Sequence, residues 1–336
     1  MLPDRRRLGA HLAMGDGLIK AADRAAEIGA TALQIFTDNP TAWRRRAEPS
    51  PEIPAFREHL ATSGIAPLAI HASYLINLAG ANPADHERSV ALLAAELVAA
   101  RMFGAALVNV HIGSHGGAGL EAGIVRVVEA IRGGLEREAE LAVADPVTAE
   151  ARPATITLEN TAGGGTGIGT SLDELDAIAA AVDGAGLPSR RIAFCLDTAH
   201  AWGAGYDLSD PAAIDGLLED FDRRIGIDRL PLVHLNDSRS ELGSRLDRHE
   251  HVGAGRIGEV GMAHVLRHPL LIAATFVLET PGMDDGYDAI NVARAVALAR
   301  GEALEPLPSG AFTLRGSRAR AATPVDPALV DGSPAR

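Results

Sequence analysis

Residues 191 to 202 read Arg191-Ile-Ala-Phe-Cys-Leu-Asp-Thr-Ala-His-Ala-Trp202. The segment begins as a short apolar run typical of a buried strand, and it ends in Asp197 and His200. Both side chains are of types that bind metal ions. A buried strand that carries a carboxylate and an imidazole at its C-terminal tip is typical of active sites in α/β barrels.

The same kind of apolar run recurs along the chain and alternates with longer helical patterns. The predicted strands cover residues 8–12, 32–37, 67–71, 107–112, 155–159, 192–197, 231–235 and 275–279. Strand–helix alternation repeated about eight times indicates a parallel sheet, and this many repeats in about 300 residues favours a closed barrel. We therefore predict an α/β fold. It is a single (β/α)8 TIM barrel over residues 1–304, with a metal site at the C-terminal ends of the strands.

The last residues have a different composition. Residues 305–336 are rich in Pro, Gly, Ala and Arg and show no apolar period. Such a segment cannot bury enough apolar surface to offset the entropy of ordering. We predict a mostly disordered tail.

Composition excludes several classes of protein. No apolar run approaches the roughly 20 residues of a membrane span, and no apolar region follows Arg5, Arg6 and Arg7 as it would in a signal peptide. The single Cys195 excludes an internal disulfide and favours the cytoplasm. Lys20 is the only lysine and falls in a predicted helix, so Schiff-base chemistry has almost no candidate residue.

Metal-binding side chains stand at the ends of six consecutive predicted strands. Without compensation, burying these charges together would cost several kcal/mol per ion, and divalent metals supply that compensation. Five imidazoles and four carboxylates favour zinc over magnesium, and nine groups exceed the about four ligands of one zinc ion. Asp247 and His249 are two apart on an extended loop and can join His200 in a separate site. The nine are His71, His111, Glu159, Asp197, His200, His234, Asp247, His249 and Glu279.

The motifs around these residues resemble those of endonuclease IV, the deoxyribonuclease IV type of apurinic/apyrimidinic endonuclease, among the xylose-isomerase-like barrels. The resemblance covers about residues 8 to 300. It is carried by Gly9-Ala-His11, His71-Ala-Ser-Tyr-Leu-Ile-Asn77, Asn109-Val-His-Ile-Gly-Ser-His115, Leu158-Glu-Asn-Thr-Ala-Gly163, Cys195-Leu-Asp-Thr-Ala-His200, Ala204-Gly-Tyr-Asp-Leu208, His234-Leu-Asn-Asp237, Asp247-Arg-His249 and Leu278-Glu-Thr280, in that order.

The resemblance implies three zinc ions and a DNA repair reaction. One zinc is held by His71, His111 and Glu159, and another by Glu159, Asp197, His234 and Glu279. The third is held by His200, Asp247 and His249. The implied reaction is hydrolysis of the phosphodiester on the 5′ side of an abasic site in duplex DNA, which leaves a 3′-hydroxyl and a 5′-deoxyribose phosphate. Glu159 and Glu279 are the expected catalytic residues, and the enzyme is expected to be a cytoplasmic monomer.

The resemblance also suggests DNA contacts, with one departure from the family pattern. Tyr74 matches a residue that inserts into the DNA stack beside the lesion, and Asn77 lies on the same loop. After the second strand, the family often has a basic or Gln-Arg pair that wedges into DNA, whereas this chain reads Asp38-Asn-Pro-Thr-Ala-Trp43. Arg44 and Arg45 follow at once and are candidates for phosphate contacts.

Three observations bear on the alternatives. The net charge of −13 argues against a nucleic-acid partner, but bound divalent metals would make the site itself positive. A metal-dependent sugar isomerase or epimerase on the same barrel is the main alternative, and the lack of lysines and the Asp247-Arg-His249 motif disfavour it. A non-catalytic DNA-binding or zinc-storing relative would be expected to lack some of the nine ligands, and none is missing.

Overall fold

Eight parallel strands close into a barrel in the computed structural model, which describes residues 2–46 and 48–313. All eight predicted strands are present, with ends that shift by at most two residues. The fold prediction is therefore confirmed. The barrel strands are β1 (Arg7–His11), β2 (Ala32–Ile35), β3 (Leu68–His71), β4 (Leu107–His111), β5 (Thr155–Glu159), β6 (Ile192–Asp197), β7 (Leu232–His234) and β10 (Thr275–Leu278).

Two further strands form a short antiparallel ribbon between β7 and β10. These are β8 (Asp237–Ser238) and β9 (His249–Glu250), with Asp237 opposite Glu250 and Ser238 opposite His249. The sequence did not predict this ribbon. Its strands are too short for an alternating pattern to show.

Helices separate the barrel strands. Among the described residues, none of them is both long enough and apolar enough to cross a bilayer. The helices are α1 (Leu18–Glu27), α2 (Ile53–Thr62), α3 (Pro83–Phe103), α4 (Leu120–Ala142), α5 (Pro146–Glu150), α6 (Leu172–Gly184), α7 (Thr198–Ala204), α8 (Pro211–Arg224), α9 (Gly258–Arg267) and α10 (Tyr287–Arg300).

Helix α7 corrects one detail of the sequence interpretation. The sequence pattern puts Asp197 and His200 together at the C-terminal tip of a strand, but His200 lies within α7. Asp197 is the N-cap of this helix, and its Oδ1 accepts a hydrogen bond of 2.8 Å from the backbone N–H of His200. A carboxylate cap stabilises a helix start. The Asp-x-x-His spacing therefore starts a helix and fixes two metal-binding side chains at once.

Small apolar side chains fill the barrel below the strand tips. Cys195 is 1% exposed and packs in a cluster with Ala69, Leu107, Leu232 and Val277. Burial raises the pKa of the Cys195 thiol to about 12, so the thiol stays protonated at neutral pH. Cys195 is therefore a residue of the barrel core.

Two glycines of the quoted motifs permit close backbone contacts. A Cβ on Gly9 would lie 2.2 Å from the carbonyl oxygen of Ala32, so the start of β2 leaves no room for a side chain there. Gly113 has φ of +100°, and a Cβ on it would lie 2.1 Å from Oδ1 of Asn77. Both positions therefore require glycine.

The first residues of the predicted tail contact the barrel domain. The Arg294 guanidinium donates to the carbonyl oxygen of Glu305 at 2.6 Å, and Nε2 of the buried His251 lies 3.1 Å from the carbonyl oxygen of Ala311. Both contacts are made to main-chain carbonyl oxygens of the tail. Such contacts do not require an apolar period, so the sequence pattern could not predict them. Residues 314–336, the rest of the predicted tail, lie outside the described residues.

Candidate metal centre

Three groups of metal-binding side chains meet at the C-terminal end of the barrel. The first donor set is His71, His111 and Glu159, from the ends of β3, β4 and β5. Oε2 of Glu159 lies 3.3 Å from Nε2 of His111 and 3.8 Å from Nε2 of His71. His71 and Glu159 are buried, whereas the side chain of His111 is 40% exposed. One face of this set is therefore open to a ligand.

The second donor set shares Glu159 with the first. It adds Asp197 at the end of β6, His234 at the end of β7 and Glu279 directly after β10. Nδ1 of His234 lies 3.3 Å from Oε1 of Glu159, 3.5 Å from Oε2 of Glu279 and 3.9 Å from Oδ2 of Asp197. The two oxygens of Glu159 thus face different donor sets, which is the arrangement that a bridging carboxylate requires.

The third donor set is His200, Asp247 and His249, from α7 and the ribbon. Asp247 presents Oδ2 at 3.4 Å from Nε2 of His200 and Oδ1 at 3.1 Å from Nε2 of His249. Asp197 also reaches this group, with Oδ2 3.6 Å from Nε2 of His249. The structure therefore places Asp197 between the second and third sets, where the sequence assigned it to the second alone.

The donor atoms of the third set are incompletely hydrogen-bonded to one another and are therefore better suited to binding a metal ion. Nε2 of His249 is buried and makes no hydrogen bond to any described residue, although Asp247 Oδ1 is near. A buried nitrogen without a partner carries a desolvation cost of about 1–3 kcal/mol. An ion between these side chains would remove that cost. The nitrogen and oxygen donors, three or four to a set, match zinc chemistry.

Fixed hydrogen bonds orient three of the imidazoles. Their Nδ1 atoms lie at 2.8–2.9 Å from backbone carbonyl oxygens: His71 from Ala72, His200 from Asn160 and His249 from Glu279. A carbonyl oxygen only accepts, so each Nδ1 carries the hydrogen and each Nε2 presents its lone pair to the centre. These bonds suit metal ligation.

The buried charges shift one another's pKa values. Burial opposes the positive form of His249, but the charges of Asp247 and Asp197 outweigh it and raise the pKa of His249 to about 9. Nearby carboxylates likewise raise the pKa of His200 well above its usual value, again against the effect of burial. Burial alone dominates at His71 and lowers its pKa to about 3. Without metal, the centre therefore holds protons that an ion would displace.

Three asparagines inside the quoted motifs support the carboxylates. Asn109 donates to Oε2 of Glu159 at 2.5 Å, and Asn160 accepts from the backbone N–H of Asp197 at 2.6 Å. Asn236 donates to Oδ2 of Asp197 at 2.7 Å and accepts from the backbone N–H of Glu279 at 2.8 Å. No role was predicted for these residues from the sequence. Their position beside a ligand in the motif was the available signal.

A further group of metal-binding side chains lies on α8 and α9 and just beyond them. It contains Asp215, His264 and His268. Here the histidines are satisfied: Nε2 of His264 lies 2.5 Å and Nε2 of His268 lies 3.2 Å from Oδ1 of Asp215. Nδ1 of His268 accepts from the N–H of Leu270, so its Nε2 carries the hydrogen. This group is an internal hydrogen-bonded cluster.

A cleft of about 310 Å³ opens beside the first and third donor sets. Its lining includes His111, Glu159, His200, Arg245 and Asp247. Tyr74 lies at the same end of the barrel, with its ring centroid 5.3 Å from that of His71 and 5.8 Å from that of His111. The predicted DNA-contacting tyrosine therefore packs against two ligands of the first set.

The other predicted DNA contacts occupy different surroundings. The guanidinium of Arg45 pairs with buried Glu96 on α3 at 2.7 Å and also bonds to Thr37. Asn77 accepts from the N–H of Ser114 at 2.9 Å and donates to its carbonyl oxygen at 3.1 Å. Arg44 is exposed. Contacts between these residues and DNA stay predictions.

Similarity to known proteins agrees with this geometry. A model of the xylose isomerase-like TIM barrel family matches residues 22–300. The probable endonuclease 4 of Halothermothrix orenii is 40% identical over 292 residues, which cover 86% of this chain and 99% of that protein. The chain belongs to the endonuclease IV family. It is a hydrolytic nuclease.

Other endonuclease IV relatives match to a similar extent. The probable endonuclease 4 of Methanoculleus marisnigri is 39% identical, over 87% of this chain and 98% of its own length. The crystal structure of endonuclease IV from Thermus thermophilus superposes with a TM-score of 0.73 at 38% identity, covering 88% of this chain and 99% of that one. An Escherichia coli 3-keto-D-glucoside 4-epimerase shares the fold at 14% identity, with a TM-score of 0.58 and coverage of 88% and 100%.

Proposed function

We propose that the protein is a zinc-dependent DNA repair endonuclease that incises duplex DNA on the 5′ side of abasic sites. The products are a 3′-hydroxyl and a 5′-deoxyribose phosphate. The observation that carries this proposal is the meeting of three donor sets at one barrel mouth, with Glu159 shared by the first and second. Endonuclease IV relatives at about 40% identity over most of the chain support the same activity.

The donor sets would hold one zinc ion each. His71, His111 and Glu159 hold the first, Glu159, Asp197, His234 and Glu279 the second, and His200, Asp247 and His249 the third. When bound, zinc ions act as Lewis acids, lower the pKa of coordinated water towards ~7 and neutralise charge that develops on a phosphate. Because Glu159 belongs to both the first and the second set, it would serve both ions.

Individual side chains then have distinct tasks. Glu279 is 17% exposed, and we assign its carboxylate the task of orienting the attacking water. Asp197 lies between the second and third sets and links the side of the nucleophile to the side of the leaving 3′ oxygen. No protein acid is needed for that leaving group, because the third donor set provides the stabilising charge when it holds an ion.

We assign recognition of the lesion to four residues outside the donor sets, which we call the rim: Tyr74, Asn77, Arg44 and Arg45. A nucleotide without a base has lost its stacking, so extruding it from the duplex costs less than flipping a normal nucleotide. Tyr74 is the aromatic residue beside the first donor set, and we assign it the space that the missing base leaves in the stack. Exposed Arg44 adds a phosphate contact. We place the protein in the cytoplasm as a monomer.

Incision of a defined duplex tests this function. The substrate is a labelled duplex with one tetrahydrofuran abasic analogue, compared with the same duplex carrying a normal nucleotide. We expect a single cut on the 5′ side of the analogue, a 3′ end that a DNA polymerase extends directly, and loss of cutting after zinc chelation. Intact substrate at enzyme in excess over DNA, after zinc has been added back, would contradict the proposal.

A further inference from the structure

One ligand of the centre depends on a side chain for its orientation. Three imidazoles donate to backbone carbonyl oxygens, which a side-chain substitution at the accepting residue does not remove. His111 is partly open to solvent. His234 is fully buried, and its Nε2 lies 3.0 Å from Oε1 of Gln34 on β2. Beside a side-chain contact with Cys195, the orientation of His234 therefore rests on Gln34.

Both polar atoms of the Gln34 side-chain amide have hydrogen-bond partners. Gln34 is 0% exposed, its Oε1 faces His234, and its Nε2 lies 2.7 Å from Oε1 of Glu279 and 3.0 Å from Nδ1 of His11. A primary amide offers two hydrogens and one carbonyl oxygen. Gln34 can thus donate to Glu279 and His11 and accept from His234 at the same time.

The neighbouring carboxylate decides which way the amide points. If the amide were flipped, its oxygen would lie at about the 2.7 Å now separating Nε2 from Oε1 of Glu279, and two acceptors would face each other. The nitrogen therefore faces Glu279 and the oxygen faces His234. Because that oxygen only accepts, Nε2 of His234 carries the hydrogen. The lone pair of His234 is then on Nδ1, which lies among the oxygens of the second donor set.

Because of the same amide, the two carboxylate oxygens of Glu279 have different partners. Oε1 accepts from Gln34 and lies 3.3 Å from Nδ1 of His11. Oε2 remains for the second donor set, 3.5 Å from Nδ1 of His234. His11 packs edge-on against Phe36 at 4.4 Å between ring centroids, which holds its ring beside the amide. One glutamine thus positions two ligands from β7 and β10.

We propose that Gln34, supported by His11, is the positioning residue of the second metal. It fixes the tautomer of His234 and the orientation of Glu279, and it touches neither the metal nor the DNA. This inference rests on the proposed metal-dependent function. Partners of metal ligands in this position commonly change metal affinity by about 10–100-fold when they are replaced.

Gln34→Met tests the proposal, because methionine has a similar shape without the amide. Zinc affinity is measured on the purified chain in competition with a chromophoric chelator. We expect one zinc per chain to bind about 10–100-fold more weakly than in the wild type, with the remaining zinc unchanged. In the incision assay, kcat should fall while KM stays within about threefold, since Gln34 is buried away from the DNA.

Thr31→Val is the matched control. Thr31 directly precedes β2 at the opposite end of the barrel, and its hydroxyl bonds to the backbone of Leu8 at 2.9 and 3.3 Å. This variant loses buried hydrogen bonds on the same strand, so its thermal stability should fall while its zinc affinity and kcat stay unchanged. Equal zinc affinity in Gln34→Met and wild type would overturn the positioning role but leave the proposed function standing. A wild-type chain that binds no zinc would instead defeat the proposed function.

A measurement on the wild type does not depend on a variant folding. In the zinc-loaded chain labelled with ¹⁵N-histidine, two-bond ¹H–¹⁵N spectra report which ring nitrogen carries hydrogen. We expect one zinc-bound imidazole protonated on Nε2, beside others protonated on Nδ1. If every zinc-bound imidazole were protonated on Nδ1, Gln34 would have no hydrogen to accept from His234 and the proposal would be wrong.

Discussion

The three donor sets, which we call the floor of the cleft, and the rim residues differ in how completely their polar side chains are hydrogen-bonded. On the floor, side chains from six strands, α7 and the ribbon point at one another, and His249 keeps a buried nitrogen without a hydrogen bond among the described residues. On the rim, Arg45 is paired with Glu96 and Asn77 is bonded to Ser114. A buried nitrogen without a hydrogen-bond partner is free to bind an ion, whereas a side chain that is already paired has its partner within the protein.

In the sequence, the motif ligands and Arg45 both looked like candidates for ligand contacts, but the structure gives them different roles. The motif ligands face one another in groups that could hold metal ions. Arg45 looked like a phosphate contact in the sequence, but its charge is balanced inside the protein by Glu96 on α3. We infer that Arg45 and Asn77 first hold the rim loops in place. Tyr74 and Arg44 are the rim residues better placed to meet DNA.

The largest expected effect comes from the floor. Glu159→Gln removes the charge shared by the first and second donor sets. We expect loss of two zinc ions per chain and a fall in incision rate on the order of 10³-fold or more, the scale for losing the main charge stabilisation of a transition state. Metal analysis and single-turnover incision measure both effects.

A matched control for this change is Glu138→Gln. Glu138 is equally buried at 1% exposure, but it pairs with Arg101 at 2.7 Å and Arg191 at 2.6 Å, outside the centre. It should lower thermal stability and leave the zinc content intact. If Glu159→Gln kept its zinc and most of its activity, the shared position of Glu159 would be wrong.

Zinc binding should depend strongly on pH. In the metal-free protein the pKa of His249 is raised to about 9, and the pKa values of His200 and His234 are also raised, which favours the protonated form of all three. Zinc needs the neutral imidazole, so binding must displace these protons. We expect apparent affinity to rise by up to about tenfold per pH unit for each displaced proton up to about pH 9.

The stability of the two forms should respond to pH with opposite signs. A histidine with a raised pKa stabilises the metal-free fold below its unfolded pKa of about 6.5, and this contribution is lost as pH rises towards about 9. Metal-free protein should therefore lose stability between these values while the zinc-loaded protein gains it. Titration calorimetry in buffers of different ionisation enthalpy counts the released protons. No proton release at pH 7 would show that the centre is already neutral.

On the rim, Arg45→Gln should act on stability. It leaves buried Glu96 without its cation, and we expect a loss of about 1–3 kcal/mol in urea unfolding with unchanged zinc content. Any weakening of DNA binding should follow from loosened loops and change little with salt. Weaker DNA binding with a changed salt slope and unchanged stability would show that Arg45 contacts phosphate directly.

The smallest expected effect is that of Arg44→Gln, the partner experiment to Arg45→Gln. Arg44 is exposed, so its loss should leave stability within about 0.5 kcal/mol of the wild type. One lost phosphate contact should reduce DNA affinity several-fold and lower the salt slope by about one. Fluorescence anisotropy with an abasic duplex at several salt concentrations measures this. Unchanged affinity at low salt would remove Arg44 from the interface.

The floor could be predicted from sequence because each strand ligand follows or ends its own apolar run. Strand ends meet at one side of a barrel, so local patterns at β3 to β7 and β10 add up to one site. The resemblance to endonuclease IV then grouped the nine ligands. The structure brings the first two groups together and places His200 and His249 with Asp197, while Asp247 lies 3.4 Å from His200 and 3.1 Å from His249. His200 was predicted as a ligand although the helix that carries it was not.

The supporting contacts could not be predicted in this way. Arg45 and Glu96 are 51 residues apart, and Gln34 and His234 are 200 residues apart. Gln34 is a single polar residue within an apolar strand and leaves no pattern of its own. Its meaning depends on which atoms of other strands face it, and that information exists only in the folded barrel.

The metal content of the chain tests most directly whether the three donor sets each hold a zinc ion. The protein is purified without added metal or chelator, and bound metals are counted by mass spectrometry against protein measured by amino-acid analysis. We predict about three zinc ions per chain, as expected from three sets of three or four donors each. One zinc ion or none, with no further uptake when zinc is supplied, would contradict this prediction.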